Sequence, residues 1–242
     1  MIKLDILVIA AHPDDAELGA GGTIINEIKK GSKVGILDLT HGEMGTRGTA
    51  ETRKNEAEAA GKILGLSARE NVGLPDGFLE NTKAFQMRII PFIRKYQPDI
   101  VLANAIEDRH PDHGKAAKLI ADSCFLSGLI KLETNDGSTG MPQQAWRPKK
   151  VYHFIQDRYI HPDFVIDVTD AWTQKITAVK AYTTQFNSPP DSKEPQTPIS
   201  TPDFMHFLEA RAREHGRLIG VRFGEGFTSV TPLGAYSLSE FK

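Results

Sequence analysis

The sequence predicts a Rossmann-like α/β sandwich with a mostly parallel sheet. Three observations carry this. Short Ile/Val/Leu-rich runs recur along the chain, helical stretches of a dozen residues or more separate them, and polar clusters follow the runs directly. Leu4 to Ala11 reads as a strand buried on both faces. After His12-Pro13-Asp14-Asp15 the spacing is helical up to Gly31, a glycine suited to a C-terminal cap. Lys33 to Thr40 is the second strand. Thr49 to Leu66 is rich in Ala, Glu and Lys, with Ala57, Ala60 and Leu64 spaced to face a core. Glu70 to Leu74 is a short strand ahead of the Pro75-Asp76-Gly77 turn. Ala84 to Tyr96 is a helix interrupted by Pro91 and barred from continuing by Pro98. Asp99 to Ala105 is another buried strand, and Asp112 to Leu132 a further helix.

The second half is less regular. Lys150 to Gln156 and Phe164 to Val168 read as strands, and Asp170 to Phe186 and Pro202 to Gly216 as helices. Asn187 to Pro202 is proline-rich and nearly free of apolar residues, which suits a long surface loop or else a lid or oligomer arm. No repeat and no linker divides the chain, so residues 1–242 read as one domain.

Composition bounds the function. The 242 residues carry 29 Lys+Arg against 31 Asp+Glu, a net charge of −2. That balance argues against a nucleic-acid or anionic-membrane partner, which dense Lys/Arg would read. A single cysteine excludes an internal disulfide and cysteine-rich metal motifs. No apolar run approaches the ~18 residues of a membrane span, and the N-terminal apolar run meets acidic residues instead of a cleavage site. A cytoplasmic protein is expected.

Ligands of open parallel sheets bind beyond the carboxyl ends of the strands. Three polar segments fall there: His12-Pro13-Asp14-Asp15, His41-Gly42-Glu43, and Glu107 to His113 (EDRHPDH). Clustered His and Asp are costly to bury without a metal or complete hydrogen bonding, so two clusters on one sheet edge suggest a shared ion. A catalytic zinc takes three protein ligands from His and carboxylate. His12 and Asp15 can point to one centre, and His110, His113 or both can reach it. Of the adjacent Asp14 and Asp15, one can bind metal while the other accepts a proton from water. The plain alternative is helix N-capping by Asp14 and Asp112.

His12-Pro13-Asp14-Asp15 with Glu17, Gly19, Gly21 and Gly22, and the later His110-Pro111-Asp112-His113, resemble the LmbE-like or PIG-L family of zinc-dependent N-acetylglucosamine de-N-acetylases. Thr40 to Gly48 and Ile219 to Phe227 resemble its bacillithiol-pathway subgroup, which deacetylates N-acetylglucosaminyl-malate. The resemblance implies His12, Asp15 and His113 as metal ligands and Asp14 as general base. It implies His110 as the cation that stabilises the oxyanion or protonates the leaving amine, with Asp112 orienting it. Zinc is the implied ion, although two histidines and an aspartate also suit Fe2+, cobalt or manganese. The implied partner is a small N-acetylated amino-sugar glycoside, and the implied assembly a homo-oligomer, a hexamer. Other amides, a cysteine S-conjugate or a chitobiose-like sugar, and a non-catalytic sugar-binding module are the alternatives.

Arg53 matches the family's helix-borne arginine that binds sugar hydroxyls; its plain reading is a solvated pair with Glu56. Asp76 reads as a turn residue or a sugar contact. Arg109 reads as a carboxylate clamp or a surface salt bridge. Asp108 stands where some relatives carry tyrosine. Gly19, Gly21 and Gly22 are taken to let the first helix approach the sheet, since Ile24 breaks the dinucleotide fingerprint. His41 lines the site or is structural, His153 is core, and His161 belongs to a turn. His206 and His215 are expected on a solvated or interface face, and Cys124 as buried filling.

Overall fold

The computed structural model describes residues 2–186, 194–235 and 237. Its strands are β1 (Ile6–Ala10), β2 (Val34–Asp38), β3 (Ala68–Asn71), β4 (Ile100–Ala103), β5 (Lys150–Phe154), β6 (Phe164–Asp167) and β7 (Gly224–Ser229). They form one sheet in the order β3-β2-β1-β4-β5-β7-β6. The first five run parallel, whereas β7 pairs antiparallel with both β5 and β6. The helices are α1 (Asp15–Lys29), α2 (Ala50–Leu64), α3 (Lys83–Tyr96), α4 (Pro111–Ser127), α5 (Trp172–Lys180) and α6 (Pro202–Ile219). This is the predicted fold class. Among the described residues no helix is long and apolar enough to cross a membrane.

Period-two alternation splits the core. Ile6, Val8 and Ala10 of β1 join the layer containing Ile24, Ala60, Val179 and Leu208, while Leu7 and Ile9 join Ile89, Ile93, Leu119 and Ile120. Both faces of β1 are therefore covered, which is why its sequence is continuously apolar. The α1 glycines allow close approach: a Cβ at Gly22 would lie 2.6 Å from Val168, and one at Gly19 would overlap Phe154.

Several elements depart from expectation. Pro91 does not interrupt α3, because burial of Ile89, Ile90 and Ile93 holds the helix across it. The helix expected over 170–186 is a 3-10 turn (Thr169–Ala171) followed by α5, which stops at Lys180. Beyond it Glu56 takes the Thr184 N–H at 2.7 Å and both threonine hydroxyls at 183 and 184, drawing the chain away from helical geometry. Strand β7 was not anticipated. His215, expected on a solvated or interface face, is buried against it, and a Cβ at Gly226 would sit 2.8 Å from the His215 ring. His153 and Cys124 are buried as expected, and His206 is exposed. Residues 187–193 of the proline-rich segment lie outside the described residues.

Candidate active site

Strand β1 lies between β2 and β4, so its carboxyl end flanks the point where the chain order reverses. His12 to Asp15 leave β1 there, and Asn104 to His113 leave β4. Asp14 occupies the N-cap position of α1 in a left-handed conformation (φ 112°) and makes no capping hydrogen bond. Its carboxylate is instead held by Arg53, whose Nη1 donates to Asp14 Oδ2 at 2.7 Å and to Pro13 O at 2.8 Å. Arg53 Nη2 donates to Gln185 Oε1 at 3.0 Å. Arg53 is thus neither a solvated partner of Glu56 nor a free guanidinium. At α4 the cap is His110, whose Nδ1 accepts the Asp112 N–H at 3.2 Å. Neither aspartate of the capping alternative caps through its side chain.

Ligand atoms of His12, His110 and His113 lie within 4.8 Å of one another, as do those of His12, Asp76 and Asp112. Asp15 bridges the two expected histidine ligands, with Oδ2 3.4 Å from His12 Nδ1 and Oδ1 3.2 Å from His113 Nε2. His12 Nε2 is 2.9 Å from Asp76 Oδ1 and 3.5 Å from Asp112 Oδ2, yet it is buried and aligned to hydrogen-bond with neither. Asp112 was expected behind His110. Its carboxylate faces His12 instead and accepts the Gly77 and Leu79 N–H groups at 2.7 and 3.2 Å.

Burial disfavours the charged form of His12, but Asp112, Asp15 and Asp76 outweigh it and raise its pKa well above the ordinary value. Burial likewise opposes charge on His113, which Asp15 and Asp108 overcome to bring it up to about 9. Asp14 is pushed up to about 7 by burial, against the lowering effect of Arg53. Burial, then the charges of His12 and His113, holds His110 below its ordinary value.

A cleft of about 270 Å³ opens over this cluster, lined by His12, Asp14, Asp15, Arg53, Asp76, Arg109, His110 and His113 among others. Asp76 also takes the Met44 N–H at 2.9 Å. Arg109 sits at the edge, paired with Asp157 at 2.8 Å. His41 is exposed and lines a different cleft, with Asp38 and Arg69.

Sequence reasoning missed three polar partners. Asn104 Nδ2 and Gln156 Nε2 donate to Asp15 at 3.0 and 2.5 Å. Asn104 directly follows β4 and Gln156 lies two residues beyond β5, at the same sheet edge that singled out the histidines. Asp108, left without a role, has Oδ2 2.6 Å from His113 Nδ1, fixing that ring with Nε2 toward Asp15.

The family model described as PIG-L, GlcNAc-PI de-N-acetylase, matches residues 7–124. Diacetylchitobiose deacetylase of Thermococcus kodakarensis is 30% identical over 236 residues, spanning 93% of this chain and 82% of that protein. The chain belongs to the PIG-L family. A conserved protein of Thermus thermophilus superposes with a TM-score of 0.85 at 34% identity, over 97% of this chain and 98% of that one. A further relative, 4-oxalmesaconate hydratase of Pseudomonas putida, is 26% identical over 72% of this chain and 71% of its own. A hydratase among the relatives means that PIG-L membership alone does not choose the reaction. The matched PIG-L segment holds every cluster residue, whereas α5, α6 and β5 to β7 follow it.

Proposed function

We propose that the chain is a metal-dependent N-deacetylase acting on an N-acetylglucosamine derivative. The observation that carries this is one cleft holding both a His/carboxylate cluster and a separate buried carboxylate, Asp14, tied to Arg53. The donor set fits a divalent ion: His12 Nε2 is buried without a hydrogen bond, and Asp108 holds His113 with its other nitrogen turned inward. His12 and His113 would hold it, with Asp15, which bridges their rings, as the third ligand that the family resemblance implies, and zinc or Fe2+ both suit two histidines and an aspartate. When bound, the ion supplies Lewis acidity toward the amide oxygen and acidifies water.

The remaining work falls to the chain. Asp14, with a pKa of about 7, is poised to accept the proton of the attacking water near neutral pH. His110 accepts the Asp112 N–H on Nδ1, so its neutral ring carries a proton on Nε2 and can hydrogen-bond the amide oxygen as negative charge develops there, while the proton that Asp14 takes from water is the one returned to the leaving sugar amine. Arg53 orients Asp14 and, with its partner Gln185, lines the cleft in which the sugar would lie. Asp76 offers carboxylate oxygens to sugar hydroxyls. Among glycosides, N-acetylglucosaminyl-malate suits a cation at the mouth, where Arg109 would exchange Asp157 for the malate carboxylate. The 30% identical chitobiose deacetylase favours a second reading, a chitobiose-like sugar.

The test is acetate release by metal-defined protein from N-acetylglucosaminyl-malate, diacetylchitobiose and free N-acetylglucosamine. Metal-dependent release, fastest on the malate glycoside, is expected. Binding of metal and sugar with no acetate would leave a binding module. Hydration of an unsaturated dicarboxylate without acetate release would assign the hydratase chemistry instead.

A further inference from the structure

A second groove of about 660 Å³ opens along α6 beside the cleft. Tyr159, Ile199, Phe204, Phe207 and Leu208 line it, and it shares Arg109, Pro198 and Ile199 with the cleft over His12. The two are therefore adjacent. Tyr159 is 59% exposed and Phe207 67%, so aromatic surface faces water in the groove beside the cleft.

The charges around this groove are unevenly paired. Arg109 holds Asp157 at 2.8 Å, and Glu214 is held by Arg217 at 2.8 Å. Arg211 lines the groove from α6, and its guanidinium makes a single long hydrogen bond among the described residues, 3.4 Å to Leu18 O. It forms no ion pair among them. Burial lowers its pKa from the usual arginine range, against the opposing pull of Asp157, Asp108 and Glu225. A guanidinium has five donors in a fork that matches a carboxylate. Arg211 is half-buried and has few partners among the described residues, so a carboxylate entering the groove can complete its hydrogen bonding.

We propose that this groove is a second subsite for the part of the substrate remote from the amide, and that it takes an amphipathic anion. An apolar or aromatic body lies against Phe204 and Phe207, and a carboxylate pairs with Arg211. This deepens the N-deacetylase reading and rests on it for the reacting end. Malate brings a carboxylate for Arg109 but no body to cover these walls, so an aryl or alkyl acid attached to the sugar engages groove surface that malate does not reach.

The test compares methyl, benzyl, 4-carboxybenzyl and malate glycosides of N-acetylglucosamine. In the native protein kcat/KM is expected to rise from methyl to benzyl to 4-carboxybenzyl, with the malate glycoside below 4-carboxybenzyl. The 4-carboxybenzyl to benzyl ratio should fall roughly tenfold or more in Arg211→Met, the scale of a hydrogen bond to a charged group. Arg211→Lys should keep part of it. Phe207→Ser should lower the benzyl to methyl ratio instead. Ratios do not depend on the folded fraction, so reduced yield of a variant does not blur them. A native 4-carboxybenzyl to benzyl ratio near one, or one that survives in Arg211→Met, overturns the subsite. Should no sugar release acetate, the deacetylase reading falls by itself. Calorimetric binding of the same four glycosides then decides the subsite, supported by a carboxyl preference lost in Arg211→Met and overturned by its absence.

Discussion

Arg53 on α2 donates 2.7 Å to Asp14 at the start of α1, while also bonding Pro13 O and Gln185. One guanidinium thereby holds a left-handed aspartate in place and offsets the cost of burying its charge.

Arg53→Leu removes that offset. The Asp14 pKa, already near 7, should climb, so the base is protonated at neutral pH and the acidic limb of the rate profile moves to higher pH. A fall in kcat of roughly 10²-fold is expected at pH 7, the lower range of a general-base contribution. Elemental analysis should find the metal retained; its loss would make Arg53 a support of the metal site instead.

Asp14→Asn and Asp15→Asn should part company. Asp14→Asn keeps shape but removes the proton acceptor, so kcat should fall by roughly 10² to 10⁴ with metal retained. Asp15 accepts from His12 N, Asn104 and Gln156 while lying against His113. An amide there turns a donor toward donors, so Asp15→Asn should lose metal affinity as well as rate. Metal content measured beside kcat decides, and the reverse pattern would exchange the two roles.

Much of this site was legible because strand ends are legible. The apolar run through β1 stops at a His-Pro-Asp-Asp cluster, and the run through β4 stops before a second, so the two had to meet on one edge. The α1 glycines likewise announced close contact with the sheet. What stayed hidden depends on partners distant in sequence. Strand β7 reads GEGFTS, too glycine-rich for a strand pattern, and its glycines serve to admit His215. Asp112 looked like a partner for its neighbour His110, but the turn at Gly77 and Leu79 claims its carboxylate. No local spacing reveals that Asp108 would reach His113 while taking the Asp157 and Arg158 N–H groups.

Glu225 on β7 should be a strong stability determinant. It accepts Gly22 and Thr23 N–H of α1 at 2.8 and 2.7 Å and pairs with buried Lys175 at 2.6 Å, while Lys175 also donates to Leu18 O. The ion pair is thus inserted beside the α1 backbone ladder. Lys175→Met leaves the carboxylate buried without its cation, and a loss of about 3–5 kcal/mol is expected in urea unfolding. A loss under about 1 kcal/mol would show that the α1 N–H groups suffice.

His215 is 2% exposed, its Nε2 has no hydrogen-bond partner, and burial followed by the charges of Arg211 and Lys175 pushes its pKa down to about 4. An unfolded histidine titrates near 6.5. Between these values the unfolded chain binds the extra proton, so unfolding free energy rises with pH through that window. The contribution is fully present above about pH 6.5 and is lost as pH falls through about 4, up to roughly 3 kcal/mol in all. His215→Gln removes the titrating group without removing the carboxylates that also weaken the fold in acid. Urea unfolding of both proteins from pH 7 down to 4.5 should therefore show a shallower loss for the variant. Equal slopes would mean that His215 takes up its proton in place, with a partner on hand to receive the charge.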